Sequence, residues 1–199
     1  MELHSFTQGS PEWHAHRANH FNASDAPAML GLSPYKTRQQ LLHEMHTGVP
    51  EDHSDAKLAL FERGHSAEAL ARPLAEEIIG EELDAIVGSE DRYSASFDGL
   101  TLMQDVVWEH KMLNDALRSV LPASGVGGAD VGTALPLHYR VQLEQQCMVS
   151  GAERVLFMAT KWADDDTLID SRHCWYLADM ALRAQIVSGW QQFAADLAA

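Results

Sequence analysis

The chain has 199 residues, 46% of them hydrophobic, and its 14 Lys and Arg against 29 Asp and Glu leave a net charge of −15. That suffices for a single domain spanning 1–199 with a real core, and the acidity excludes a protein that coats nucleic acid over its whole surface. No apolar run approaches a membrane span, Glu2 and His4 do not open a basic-then-apolar leader, and Cys147 and Cys174 lack a metal-type spacing, so a cytoplasmic protein with reduced thiols is expected.

Ser10-Pro11-Glu12-Trp13 predicts a helix start: Ser10 can cap, Pro11 suits the first helical position, and Glu12 favours the positive end of the dipole. Trp13 and Arg17 then lie one turn apart on one face. Asn22 to Pro27 predicts a second short helix capped by Ser24 or Asn22, and a helix N-terminus with a serine and a nearby arginine is a ready anion site. His16 and His20 stand at i, i+4, but no carboxylate motif accompanies them or His14, and a metal reading is rejected. Thr37 to Gln40 is a capping box opening a helix to about Thr47. After Gly48-Val49-Pro50, Ser54 caps a longer helix towards Ile79, in which Phe61, Gly64, Glu68 and Arg72 share one face.

Three strands are expected next. Leu83 to Val87 is the first; Arg92 to Phe97 alternates, with Tyr93, Ala95 and Phe97 on one face and Ser94, Ser96 and then Asp98 on the other. In Val106 to Lys111 the pair Glu109 and Lys111 points one way and Trp108 and His110 the other. A hairpin through Gly99 to Gln104 brings Asp98 beside Glu109 and Lys111. Hard divalent cations are held by one or two carboxylates with water and substrate phosphate, and an adjacent lysine can orient an attacking water.

Asn114 starts a short helix to Leu121, and Pro122 to Pro136 is a glycine-rich segment lacking the Gly-Lys-Ser/Thr ending of a phosphate loop. A helix from Pro136 to Ser150, stopped by Gly151, carries an apolar stripe of Leu137, Val141 and Met148 interrupted by Gln142, Gln145 and Gln146. Arg154 to Trp162 and Leu168 to Tyr176 form a hairpin around Asp164-Asp165-Asp166, which lacks the glycine and distal glutamate of a calcium loop. A last helix from Asp179 puts Leu182, Ile186, Trp190, Phe193 and Leu197 on one stripe. Together these elements predict an α/β fold with a mixed central sheet flanked by helices.

Asp98, ten residues, then Glu109-His110-Lys111 resembles the motif of the PD-(D/E)xK nucleases, with Phe97 in place of its proline. Gly9-Ser10-x-Glu12-Trp13-x-x-x-Arg17, Ala23-Ser24, Leu30-Gly31-x-Ser33-Pro34-Tyr35, Gly64 to Glu68 and Tyr139-x-x-Gln142 resemble, in order, the lambda exonuclease and YqaJ-type recombinase nucleases. The resemblance implies a restriction-endonuclease-like fold and a Mg²⁺-dependent 5′→3′ exonuclease acting on double-stranded DNA ends. It implies that Asp98, Glu109 and the backbone carbonyl of His110 hold Mg²⁺, with Glu68 assisting around a second ion and Mn²⁺ able to substitute. Lys111 would position the nucleophile, Gln142 would lie in the active site, and Arg17, Ser24 and Ser96 would hold the 5′-phosphate. Phe61 falls where the family has a strand-separating wedge, with core packing as its alternative. Similar proteins are ring-shaped homotrimers that work with a phage single-strand annealing protein in a bacterial host.

Overall fold

A computed structural model describes residues 1–48, 55–123 and 132–199, with the backbone alone for 55–61. Its strands are β1 (Glu2–His4), β2 (Phe21–Asn22), β3 (Asp84–Glu90), β4 (Tyr93–Leu100), β5 (Val106–Met112), β6 (Arg154–Trp162) and β7 (Leu168–Leu177). They form one sheet in the order β1-β3-β4-β5-β6-β7, with β2 beside the start of β4. Pairing is antiparallel except for β5 with β6 and β2 with β4. The helices are α1 (Pro11–Ala18), α2 (Ala26–Met29), α3 (Arg38–Thr47), α4 (Asp55–Ile79), α5 (Asp115–Val120), α6 (Leu137–Ser150) and α7 (Met180–Leu197). This is the expected mixed sheet flanked by helices.

Local chemistry sets most boundaries. Ser10 accepts the Trp13 N–H, Thr37 and Gln40 complete their capping box, Asn114 accepts from Leu117, and Gly151 closes α6 at φ 81°. Side chains at the first turn and a left-handed glycine at the last satisfy backbone groups that a helix leaves orphaned. The reading from Asn22 to Pro27 needs correction. Residues Ala23–Asp25 form a 3-10 turn before α2, and neither Asn22 nor Ser24 caps it through a side chain. Asn22 instead donates to the carbonyls of Arg17 and His20. Ser54 lies outside the described residues, as do 124–131 of the glycine-rich segment; its end, Gly132–Ala134, is a 3-10 turn.

Two helices sandwich the middle of the sheet. Ala71 and Ala75 of α4 pack on Trp108, Leu156 and Met158, while Leu143 and Cys147 of α6 pack on Phe97, Val107 and Phe157. Phe21 stacks on Trp190 at 4.5 Å and joins α2, α3 and α7 into a further core. Trp108 and Trp190 are fully buried, each removing roughly 150–250 Å² from water, on the order of 4–6 kcal/mol. Gly99 lets Trp108 approach: a Cβ there would lie 3.0 Å from both Leu83 and the indole.

The face of α6 differs from expectation. Leu137 is exposed and Met148 only half-buried, whereas Glu144, Gln145 and Gln146 are buried completely. Each polar side chain has a partner on another element. Glu144 accepts from Tyr176 Oη (2.8 Å), Asp179 N (2.6 Å) and Arg183 Nε (2.7 Å). Gln145 donates to the Phe21 carbonyl and accepts from Trp190 Nε1.

On α1, His16 Nε2 pairs with Ser94 Oγ at 2.9 Å, and its ring stacks on His20 at 4.0 Å. Burial, then the charges of His20, His4 and Arg17, hold the His16 imidazole down to about 4. A histidine neutral when folded and basic when unfolded opposes folding as the pH falls from about 6.5 towards that value. His16→Asn should therefore flatten the melting temperature against pH between about 6.5 and 4; parallel curves for the two proteins would contradict this.

Candidate active site

The ladder between β4 and β5 holds only at Gly99 with Trp108 and Leu100 with Val107. Beyond it the next donor on β5, the His110 N–H, goes to the carboxylate of Asp98 at 2.8 Å. This side chain replaces a rung of the ladder and carries Asp98 to Glu109. Glu109 is 2% exposed and faces α6. Its Oε1 accepts from Lys111 Nζ and from Gln142 Nε2 (2.7 Å), and its Oε2 from Gln146 Nε2 (2.6 Å). On the opposite face, His110 Nε2 pairs with Thr160 Oγ1 at 2.7 Å; burial and then the Lys111 charge hold its imidazole down to about 3, so it is a neutral packing group.

Glu68 reaches the same cluster from α4, beside Arg72, whose guanidinium donates to the carbonyls of Leu83 and Asp98 and lies 5.2 Å from the Trp108 ring. Burial raises the Glu68 carboxyl; Arg72 opposes and Glu109 reinforces that shift. Burial, then the charges of Glu109 and Glu68, push Asp98 well above the usual carboxylate range against Lys111 and the His110 N–H. For Lys111 burial works to lower the ammonium, but Glu109 and Asp98 outweigh it and the net shift is upward. Three acids thus face two cations, Arg72 beside Glu68 and Lys111 beside Glu109, and the one negative charge left over is what a further cation would relieve.

The side-chain donor set, carboxylate oxygens alone, fits a hard divalent ion. Among the described residues no three His, Cys, Asp or Glu side chains are grouped as a cage for a metal. An ion here would complete its shell with backbone, water or phosphate oxygens, which suits Mg²⁺ better than zinc.

The three residues predicted for an anion are linked, with an addition. Arg17 Nη1 donates to Ser24 Oγ at 3.1 Å, and its guanidinium lies 4.8 Å from the Trp13 ring, whose Nε1 donates to Ser96 Oγ at 3.1 Å. Arg17 Nη2 also pairs with Asp25 at 2.8 Å, and Lys36 lies 3.7 Å from the other oxygen of Asp25. The side chain of Phe61 lies outside the described residues. Sequence reasoning assigned no role to Gln146 or Asp25. Only the i, i+4 spacing of Gln142 and Gln146 offered a signal for the first.

Among solved structures the chain resembles LHK-Exo, an alkaline exonuclease from Laribacter hongkongensis, at 22% identity over 94% of this chain and 92% of that one. The TM-score is 0.69, or 0.70 for its complex with dAMP. A phage-related exonuclease from Haemophilus somnus 129PT matches at 12% identity over 92% and 97%, with a TM-score of 0.59. No curated protein matches. These likenesses concern the fold, and a family model, the YqaJ-like viral recombinase domain, matches residues 12–153. That span contains Arg17, Glu68, Asp98, Glu109, Lys111 and Gln142, and the chain belongs to the YqaJ-like viral recombinase family.

Proposed function

We propose that the protein is a divalent-metal-dependent nuclease that degrades one strand of linear duplex DNA from 5′-phosphorylated ends, in the 5′→3′ direction. The observation that carries this is the convergence of Asp98, Glu109, Glu68 and Lys111 in one half-buried pocket under Gln142. Asp98, Glu109 and the His110 carbonyl would hold Mg²⁺ or Mn²⁺, with Glu68 beside a second ion. When bound, the metal supplies a more acidic water and neutralises charge on the phosphate. Lys111 orients the attacking water and offsets charge on the phosphoryl oxygens, and Gln142 holds the carboxylate against which Lys111 is aimed. By family resemblance it would act as a homotrimer ring with a phage single-strand annealing protein in recombination.

Linear and closed circular duplex, each incubated with Mg²⁺ or with EDTA, test the reading. Loss of linear DNA alone, and only with metal, is expected. Cutting of circles would point to an endonuclease, and binding of ends without hydrolysis to a non-catalytic end-binding protein.

Polarity follows from the Arg17 cluster. A terminal phosphate carries more charge than an internal one and should displace Asp25 from the guanidinium. A charge-assisted contact of about 1.5–3 kcal/mol corresponds to roughly a ten- to hundredfold preference for 5′-phosphorylated over 5′-hydroxyl ends, and Arg17→Ala should abolish it. Initial rates on two duplexes differing only in that phosphate decide the matter; equal rates for wild type, or digestion from 3′ ends, would refute the pocket.

A further inference from the structure

We infer that Gln146 is a positioning residue that holds Oε2 of Glu109, the one oxygen that Lys111 and Gln142 leave open, in place for the cation. This builds on the metal reading above. An ionised carboxylate offers about four acceptor positions, two on each oxygen. Lys111 Nζ and Gln142 Nε2 occupy Oε1, and Gln146 Nε2 occupies one position on Oε2. One position remains, and it is on Oε2.

Gln142 and Gln146 stand one turn apart on α6, so a single helix face holds both oxygens and fixes the plane of the carboxylate. Gln146 has no competing task. Its side chain is 0% exposed, makes its one hydrogen bond among the described residues to Glu109, and leaves its Oε1 buried without a donor. The reverse amide orientation would set a carbonyl against a carboxylate, so the donor end is the one that faces Glu109. Apolar packing alone would be better served by a side chain that strands no acceptor.

Partners that orient a metal ligand typically govern metal affinity by about 10- to 100-fold. Calorimetric titration of Mg²⁺ and Mn²⁺ into DNA-free protein should therefore show weakening of that order in Gln146→Met, which keeps the volume and removes the donor. Gln146→Asn, which keeps the amide and shortens its reach, should behave the same way. The Mg²⁺ concentration for half-maximal hydrolysis should rise by the same factor. Gln142→Met, on the other oxygen, should lower kcat with a smaller change in the isotherm.

An unchanged isotherm in Gln146→Met, or equal weakening in the Gln142 and Gln146 variants, would overturn the positioning of Oε2 by Gln146. Loss of the far-ultraviolet circular dichroism spectrum in both Gln146 variants would also overturn it, by making the residue a structural one. Wild type that binds neither ion and cleaves no DNA removes the metal reading itself.

Discussion

Asp98→Asn and Lys111→Ala should each slow strand hydrolysis by about 10²-fold or more, while shifting the melting temperature of the EDTA-treated protein in opposite directions. On the proposed mechanism both lose activity, because one would supply a metal ligand and the other the cation that would steer water. Stability separates them. The folded carboxyl of Asp98 is raised by burial and by Glu109 and Glu68, so its ionisation withdraws stability as the pH climbs from about 4 through the raised value. Asparagine removes that cost at neutral pH and still accepts the His110 N–H. Lys111 has the opposite sign, because its raised folded value means the ammonium stabilises the fold throughout the range below about 10, and alanine loses that contribution. Melting at neutral pH in EDTA should rise for Asp98→Asn and fall for Lys111→Ala. Two shifts of the same sign, or near-wild-type turnover in either variant, would remove the charge balance on which the site assignment depends.

Glu144→Ala should cost about 3 kcal/mol, lowering the melting temperature by about 6–12 °C for a chain of this size. The residue is completely buried and accepts from Tyr176, the Asp179 N–H and Arg183, so it fastens α6 to the end of β7 and the start of α7. Removing it strands three donors at once, whereas Glu144→Gln retains acceptors for Tyr176 and Asp179 and should lose less. Neither change touches the carboxylates. Folded variants assayed well below their melting temperatures should cleave at wild-type rates, and a Glu144→Ala protein as stable as wild type would show that the three bonds contribute nothing net.

Elements with local determinants were legible in the sequence, and those formed by distant partners were not. The caps at Ser10, Thr37, Asn114 and Gly151 need only a few neighbouring residues, and the alternation around Asp98 and Glu109 is likewise local. In contrast, β1 has three residues and β2 two, too few for a period, and each exists through its pairing with β3 or β4. The apolar stripe expected on α6 failed for the same reason. Gln145 and Gln146 were expected only to interrupt that stripe, yet they and Glu144 are each buried by a partner more than 30 positions away. Within the site, Asp98, Glu109 and Lys111 announce themselves by spacing. Asp25 stands eight residues from Arg17, but its pairing depends on the turn that folds Ser24 and Asp25 back onto α1.

The parallel pairing of β5 with β6 bears on when the site comes into being. A parallel neighbour requires a long crossover, and here it contains α6, which brings the amides that hold Glu109 from 33 and 37 residues downstream. A nascent chain that has emerged as far as Met112 already holds Asp98, Glu109 and Lys111, but its carboxylates have no helix to fix them. At ordinary rates of synthesis, roughly 2 to 8 seconds separate that moment from the emergence of Ser150. Assembly of the pocket is thereby tied to the docking of α6 on the sheet, and the chain acquires an ordered cluster of acids only once the core beneath α6 has closed.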